Sequence, residues 1–103
     1  MEKRDAKRQF AALREAVSRA LRDADPIGLI EGGAPVDEYD PEVGTVLPRL
    51  RGATSSGDVQ KILYEEFVRW FGPEVAGDIQ HYDGAAEKIW AILAINKAVY
   101  PAA

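Results

Sequence analysis

Few side chains in this sequence are of the kinds that usually carry out chemistry in proteins. The chain has no cysteine and a single histidine, His81. The lack of thiols excludes disulfides, thiolate zinc sites, iron–sulfur clusters and cysteine nucleophiles. His81 is the only imidazole available as a base, and no Gly-x-Ser-x-Gly turn is present to expose a serine nucleophile. The sequence therefore predicts no catalytic residues, and we expect the protein not to be an enzyme.

Motifs for metals and cofactors are also missing. The segment 78–83 has two aspartates and His81, which suffices only for a weak divalent-ion site, and the Glu-x-x-His motif of di-iron bundles is absent. The glycine pair at 32–33 lacks the rest of a phosphate-binding loop. Glu65 and Glu66 would point about 100° apart on a helix, so we interpret both as surface charge rather than as an acid–base pair. We predict no metal and no cofactor.

Charge is distributed unevenly along the chain. Residues 25–48 carry six acids and no base, whereas residues 1–24 carry seven bases and four acids. An acidic block of this kind favours a basic protein partner, because complementary charge speeds encounter. It could instead pair with the basic first segment or keep the protein in solution. A sequence pI near 5.0 argues against nucleic-acid binding.

Most of the chain has the apolar spacing of helices, so helices are expected to position the residues discussed above. Apolar residues at three- and four-residue spacing predict a first helix over 3–24, which Asp25-Pro26 should end. A second helix should begin at Asp40, with Asp40 as its N-cap, and Pro48 should kink or shorten it. We expect the inward face of this helix to consist of Val43, Val46, Leu47 and Leu50.

Two further helices follow in the second half of the chain. Ser55 should cap the third helix, with Asp58 three residues later, and Gly72-Pro73 should stop it. A fourth helix over about 84–100, capped by Asp83, is apolar on nearly every side, which is typical of a central helix or one covered by another subunit. We expect the aromatic residues of these two helices to lie in the core: Phe67, Trp70, Phe71 and Trp90.

These elements predict an all-α fold, in which residues 1–103 form a single-domain bundle of about four helices with a long ordered loop between helices one and two. No segment alternates with the period of a strand, and 103 residues are enough for one modest core. The longest apolar run, Ile89–Ile95, is far shorter than the ~20 residues of a membrane span. The charged N-terminal residues precede no apolar signal segment, so we expect a cytoplasmic protein.

The loop and its flanks contain two short motifs in a fixed order. The first is Asp25-Pro26-Ile27-Gly28, and the second is Asp37-Glu38-Tyr39-Asp40. Together with the apolar spacing that follows, they resemble a group of small bacterial helical proteins of unknown function over about residues 20–72. The resemblance implies an all-α domain and, as for some members, an immunity or accessory role in bacterial competition. It supplies no catalytic residue, and Pro48 and the apolar last helix depart from the group's pattern.

We therefore identify Asp37, Glu38, Tyr39 and Asp40 as candidate partner-binding residues. The expected function is protein–protein interaction through this acidic loop, and neutralisation of a basic toxin is one specific form of it. The same motif has a structural interpretation, in which it only joins the loop to the second helix and the Tyr39 hydroxyl finds a partner inside the protein.

Two alternatives stay open. Helix one has a near-heptad stripe and helix four has excess apolar surface, which favours a homo-oligomeric helical protein. A small-molecule pocket or active site could also form around the aromatic residues Tyr39, Tyr64, Trp70 and Tyr82.

Overall fold

The protein is an assembly of four α-helices. The structure, a computed structural model, describes residues 3–28, 31–33 and 39–95. The helices are α1 (Lys3–Ala24), α2 (Asp40–Leu50), α3 (Ser56–Ala76) and α4 (Asp83–Ile95), with a 3₁₀ turn over Ile79–Tyr82. No strand occurs in these ranges. The predicted all-α bundle is confirmed, while the end of the fourth predicted helix, 96–100, lies outside the described residues.

One core forms where the apolar faces of the four helices meet. Helix α3 contacts α2, α4 and the 3₁₀ turn, and α1 contacts α4 and α2. The predicted inward face of α2 is confirmed, because all four of its residues are buried. The other helices contribute Leu13, Val17, Leu21, Val59, Ile62, Leu63, Phe67, Ile89 and Leu93, and the buried rings of Tyr39 and Tyr82 complete the core. Complete burial of one such side chain contributes about 1.5–3 kcal/mol relative to exposure.

The beginning of α3 has the predicted cap. The Asp58 amide donates to Ser55 Oγ at 3.1 Å, and Thr54 donates from its amide and its hydroxyl to the Asp58 carboxylate at 2.8 and 2.6 Å. The hydroxyl bond and then the amide bond from Thr54 lower the pKa of Asp58. These reciprocal bonds satisfy amides that the helix itself leaves unpaired.

Two other predicted N-caps are corrected. Tyr39, not Asp40, occupies the N-cap position of α2, and no side chain caps that end. Asp83 has helical dihedral angles (φ −60°, ψ −51°), since α4 follows directly from the 3₁₀ turn. Both helices begin within one residue of their predicted starts, so the corrections concern the capping residue and not the position of the helix.

The helix breaks predicted at Pro48 and at Gly72-Pro73 have different outcomes in the structure. Helix α2 continues through Pro48 and ends at Leu50, so the proline lies in the last turn of a short helix. In α3, Gly72 leaves the helical conformation (φ 85°, ψ 160°), and Pro73 begins one more helical turn. Glycine tolerates this positive φ at no steric cost, which explains the break at the predicted stop.

Candidate interaction surfaces

Asp25 anchors the loop that follows α1. Its Oδ2 accepts the Glu31 amide at 2.9 Å, and its Oδ1 accepts the hydroxyl of Tyr39 at 2.5 Å. Asp25 leaves the helix at a positive φ of 44°, a conformation that aspartate tolerates better than most residues. One carboxylate thus joins the end of α1, the middle of the loop and the residue that precedes α2.

The motif Asp25-Pro26-Ile27-Gly28 forms a turn directly after α1. Gly28 has a positive φ of 74°, and its amide donates to the Asp25 carbonyl at 3.0 Å. The Gly32 amide then donates to the Gly28 carbonyl at 2.9 Å. Asp25 and Gly28 therefore act together at the start of the loop, one through its side chain and the other through its backbone.

The four candidate partner-binding residues have different placements. Tyr39 has no exposed surface and packs its ring 5.8 Å from that of Phe67. Its side chain can therefore influence a partner only by holding the loop in place. Asp37 and Glu38, like the side chain of Asp40, lie outside the described residues. Their role in partner binding stays a prediction.

The four aromatic residues of the alternative pocket have different environments, and most of their ring contacts are with Phe67. Tyr82 and Tyr39 are buried, and both contact Phe67, with ring centroids 5.2 and 5.8 Å away. Tyr64 meets Tyr82 edge-on at 6.1 Å. Trp70 is 46% exposed, so its predicted core position is wrong, and its indole N–H donates to Thr45 Oγ1 at 3.0 Å. Aromatic contacts of this kind add about 0.5–1.5 kcal/mol each to the stability of a core.

The remaining predicted core aromatics divide according to their exposure. Phe67 is fully buried, whereas Phe71 and Trp90 are half-buried against the core. Phe10, on the predicted stripe of α1, is 41% exposed. The apolar spacing identifies the inward face of a helix, but residues at the ends of that spacing, such as Phe10 and Trp70, are only partly covered by the neighbouring helices.

The sequence interpretation of Glu66 as surface charge is wrong. Its side chain is 2% exposed and accepts from Arg49 at 3.0 Å and from Arg69 at 3.4 Å. Glu65 also accepts from Arg49, at 2.7 Å, but is 39% exposed. The hydrogen bond to Glu65 raises the pKa of Arg49, and the same bond lowers the pKa of Glu65.

This cluster lines a shallow cavity of about 370 Å³ between α2 and α3. Arg49 would be a natural anion ligand, but its guanidinium is engaged by two carboxylates. The arrangement therefore fits an ionic link between two helices better than a binding site for an anion.

A larger cavity of about 660 Å³ lies between α1 and α4, and we call it the α1–α4 groove. Six of its lining residues share one face of α1, and three come from α4. They are Ala12, Glu15, Ala16, Arg19, Ala20 and Asp23, with Lys88, Ala91 and Ile92. The groove was not predicted from the sequence, although the alanines at 12, 16 and 20 and the charged residues at 15, 19 and 23 each recur every four residues along α1.

His81 lies exposed on the 3₁₀ turn. A Cβ at Gly77 would come within 2.8 Å of its Nδ1, so the imidazole packs against a glycine that has a φ of 73°. Among the residues that the structure describes, no group of three or more histidine, aspartate and glutamate side chains could hold a metal ion. In the same ranges, no helix has both the length and the apolar content needed to cross a bilayer.

Comparison of the chain with protein-family models, curated proteins and solved structures finds no match. The resemblance to small bacterial helical proteins therefore stays a prediction.

Proposed function

We propose that the protein binds another protein, of basic surface, through the acidic segment 37–40. The observation that carries the proposal is the anchor at the end of this segment, where the Tyr39 hydroxyl donates to Asp25. Because Tyr39 is buried, the acids that precede it in sequence are joined to a fixed point of the core. An anchored segment loses less conformational freedom on binding than a free one, which favours affinity.

The distribution of acids supports the same segment. Of the six acids in residues 25–48, Asp25 is engaged in the loop anchor and Glu42 is buried in α2. Neither is therefore available to a partner. The acids left for recognition are Glu31, which is exposed, and the acids of the segment itself, Asp37, Glu38 and Asp40.

The partner's chemistry follows from this charge. A cluster of acids recognises lysine and arginine side chains on a complementary surface, chiefly by raising the association rate at low ionic strength. The resemblance suggests the setting, which is neutralisation of a basic toxin or an accessory role in the cytoplasm of a bacterium. No nucleic acid, membrane or cofactor takes part in this proposal.

The test is a charge reversal with a matched control. The tagged protein and its Asp37→Lys/Glu38→Lys variant are each used to capture proteins from a bacterial lysate. A captured protein is then purified, and its binding to each form is measured by calorimetry at low and high salt. The control is Glu74→Lys/Asp78→Lys, which changes the net charge equally at two exposed positions on other elements.

The proposal expects binding at defined stoichiometry that weakens in salt, survives in the control and is lost in the variant at 37 and 38. Equal affinity of that variant and the wild type would refute the acidic segment as the binding surface. Equal loss in both variants would show that only net charge matters, and would also refute the proposed site.

A further inference from the structure

We propose that the α1–α4 groove is occupied by a second copy of this chain, with the two α1 helices antiparallel. The proposal concerns a surface separate from the acidic segment, so it does not depend on the proposed function. It rests on the shape of the groove and on the order of charges along its edge.

The floor of the groove suits a helix. Ala12, Ala16 and Ala20 follow one another at four-residue spacing on α1, and Ala91 faces them from α4. Short side chains at a helix contact allow the two axes to approach towards the lower end of the usual 8–10 Å range. The face from Ala12 to Asp23 is about 16 Å long at a rise of 1.5 Å per residue, or three turns of helix.

The charges along the edge of the groove are complementary to the same charges on a second, antiparallel copy. Glu15, Arg19 and Asp23 follow the alanines at the same spacing, with alternating signs. A two-fold axis that crosses α1 at the level of residue 17 places Glu15 opposite Arg19 of the second copy, and Arg19 opposite the second copy's Glu15. A parallel pair in register would instead place each charge opposite itself. The charge order therefore selects the antiparallel arrangement, with the reciprocal contacts of an isologous dimer.

The ion pairs within the chain leave this edge available. Glu15 accepts from Arg22 of its own helix through Oε1, at 3.1 Å, so its Oε2 can still accept from a second arginine. Within the described part of the chain, Arg19, Asp23 and Lys88 form no ion pair. The dimer supplies Arg19 with an acidic partner, Glu15 of the second copy.

The two-fold symmetry can be tested with charge variants whose oligomeric state is measured by sedimentation equilibrium and light scattering at micromolar concentrations. We expect the wild type to be a dimer. Arg19→Glu places acid opposite acid at two sites, and Glu15→Arg places base opposite base, so each variant should weaken the dimer by more than about tenfold. The double variant Glu15→Arg/Arg19→Glu restores opposite charges at both sites and should dimerise again.

Two further variants separate the groove from general effects. Ala16→Arg fills the floor of the groove and should give a monomer with an unchanged helical circular-dichroism spectrum. Arg14→Glu makes the same charge change as Arg19→Glu, but at an exposed α1 position outside the groove lining, and should remain dimeric. A monomeric wild type would overturn the proposal and leave the groove for a different protein. A double variant that stays monomeric would overturn the antiparallel register.

Discussion

Removal of Arg49 should destabilise the protein more than removal of its buried partner, Glu66. Arg49 donates to Glu66 at 3.0 Å and to Glu65 at 2.7 Å, so it is the main cation for both carboxylates. Arg69 reaches Glu66 only at 3.4 Å and is 76% exposed. Among the described residues, the Arg49→Ala variant therefore leaves the buried Glu66 carboxylate with only the longer ion pair to the exposed Arg69.

The burial of the partners sets the magnitude. Breaking a buried ion pair from one side costs about 3–5 kcal/mol when an uncompensated charge remains inside. Arg69 still contributes and Arg49 is itself 39% exposed, so we expect a loss of about 2–3 kcal/mol in the free energy of unfolding. Glu66→Gln keeps the shape and leaves Arg49 with Glu65 and water, so its cost should be about 1 kcal/mol.

Urea unfolding followed by circular dichroism measures both losses, with the transition slope checked for constancy. Glu65→Gln is the matched control, because Glu65 binds the same arginine from the neighbouring position but is more exposed. We expect this control to change stability least. The reasoning fails if Glu65→Gln is as damaging as Arg49→Ala, or if Arg49→Ala leaves the midpoint unchanged.

Three other perturbations test the anchor, the cap and the buried core. Tyr39→Phe keeps the ring but removes the hydroxyl bonded to Asp25, and should lower the free energy of unfolding by about 1–2 kcal/mol; a change within error would argue against the anchor. Ser55→Ala removes the α3 cap and should cost about 1 kcal/mol in the same assay, whereas Ser55→Asp should retain most of the stability. Burial, and then the nearby Tyr64, raises the pKa of Tyr82 to about 12 from 10.0. Its stabilising contribution is therefore complete below pH 10.0 and is lost as the pH rises through about 12. A phenolate titration of the folded protein should show this late step, and Tyr82→Phe should lack it.

The helices could be predicted from local signals because their ends depend on neighbouring residues. The bounds of α1 and the start of α2 agree with the predictions, and the confirmed Ser55 cap of α3 follows from Ser55 and Asp58, three positions apart. The break at Gly72 is also predictable from the sequence, since a Gly-Pro pair favours a local departure from helical dihedral angles. Local chemistry is sufficient for these features.

The candidate sites depend on contacts between distant residues, which local patterns do not report. The 100° angle between Glu65 and Glu66 on a helix predicts surface charge for both, yet Glu66 is buried and pairs with Arg49, 17 positions away in sequence. The bond between Asp25 and Tyr39 spans 14 positions and joins both motifs of the loop. Each motif was visible alone, but only the fold shows that the second supplies a hydroxyl to the first.

The loop anchor at Asp25 lies just beyond the end of α1, and this has a consequence for the stoichiometry of the proposed complexes. Asp25 lies eight residues beyond Val17, or about 12 Å along the helix axis, so an antiparallel dimer places the two loop anchors about 24 Å apart at opposite ends. Its acidic segments would then bind two partner molecules at separate sites. Arg19→Glu should therefore leave the intrinsic affinity for a soluble partner unchanged but weaken binding to a partner immobilised at high density, where two-site attachment adds avidity. A loss of affinity in solution would mean instead that groove and segment form one surface.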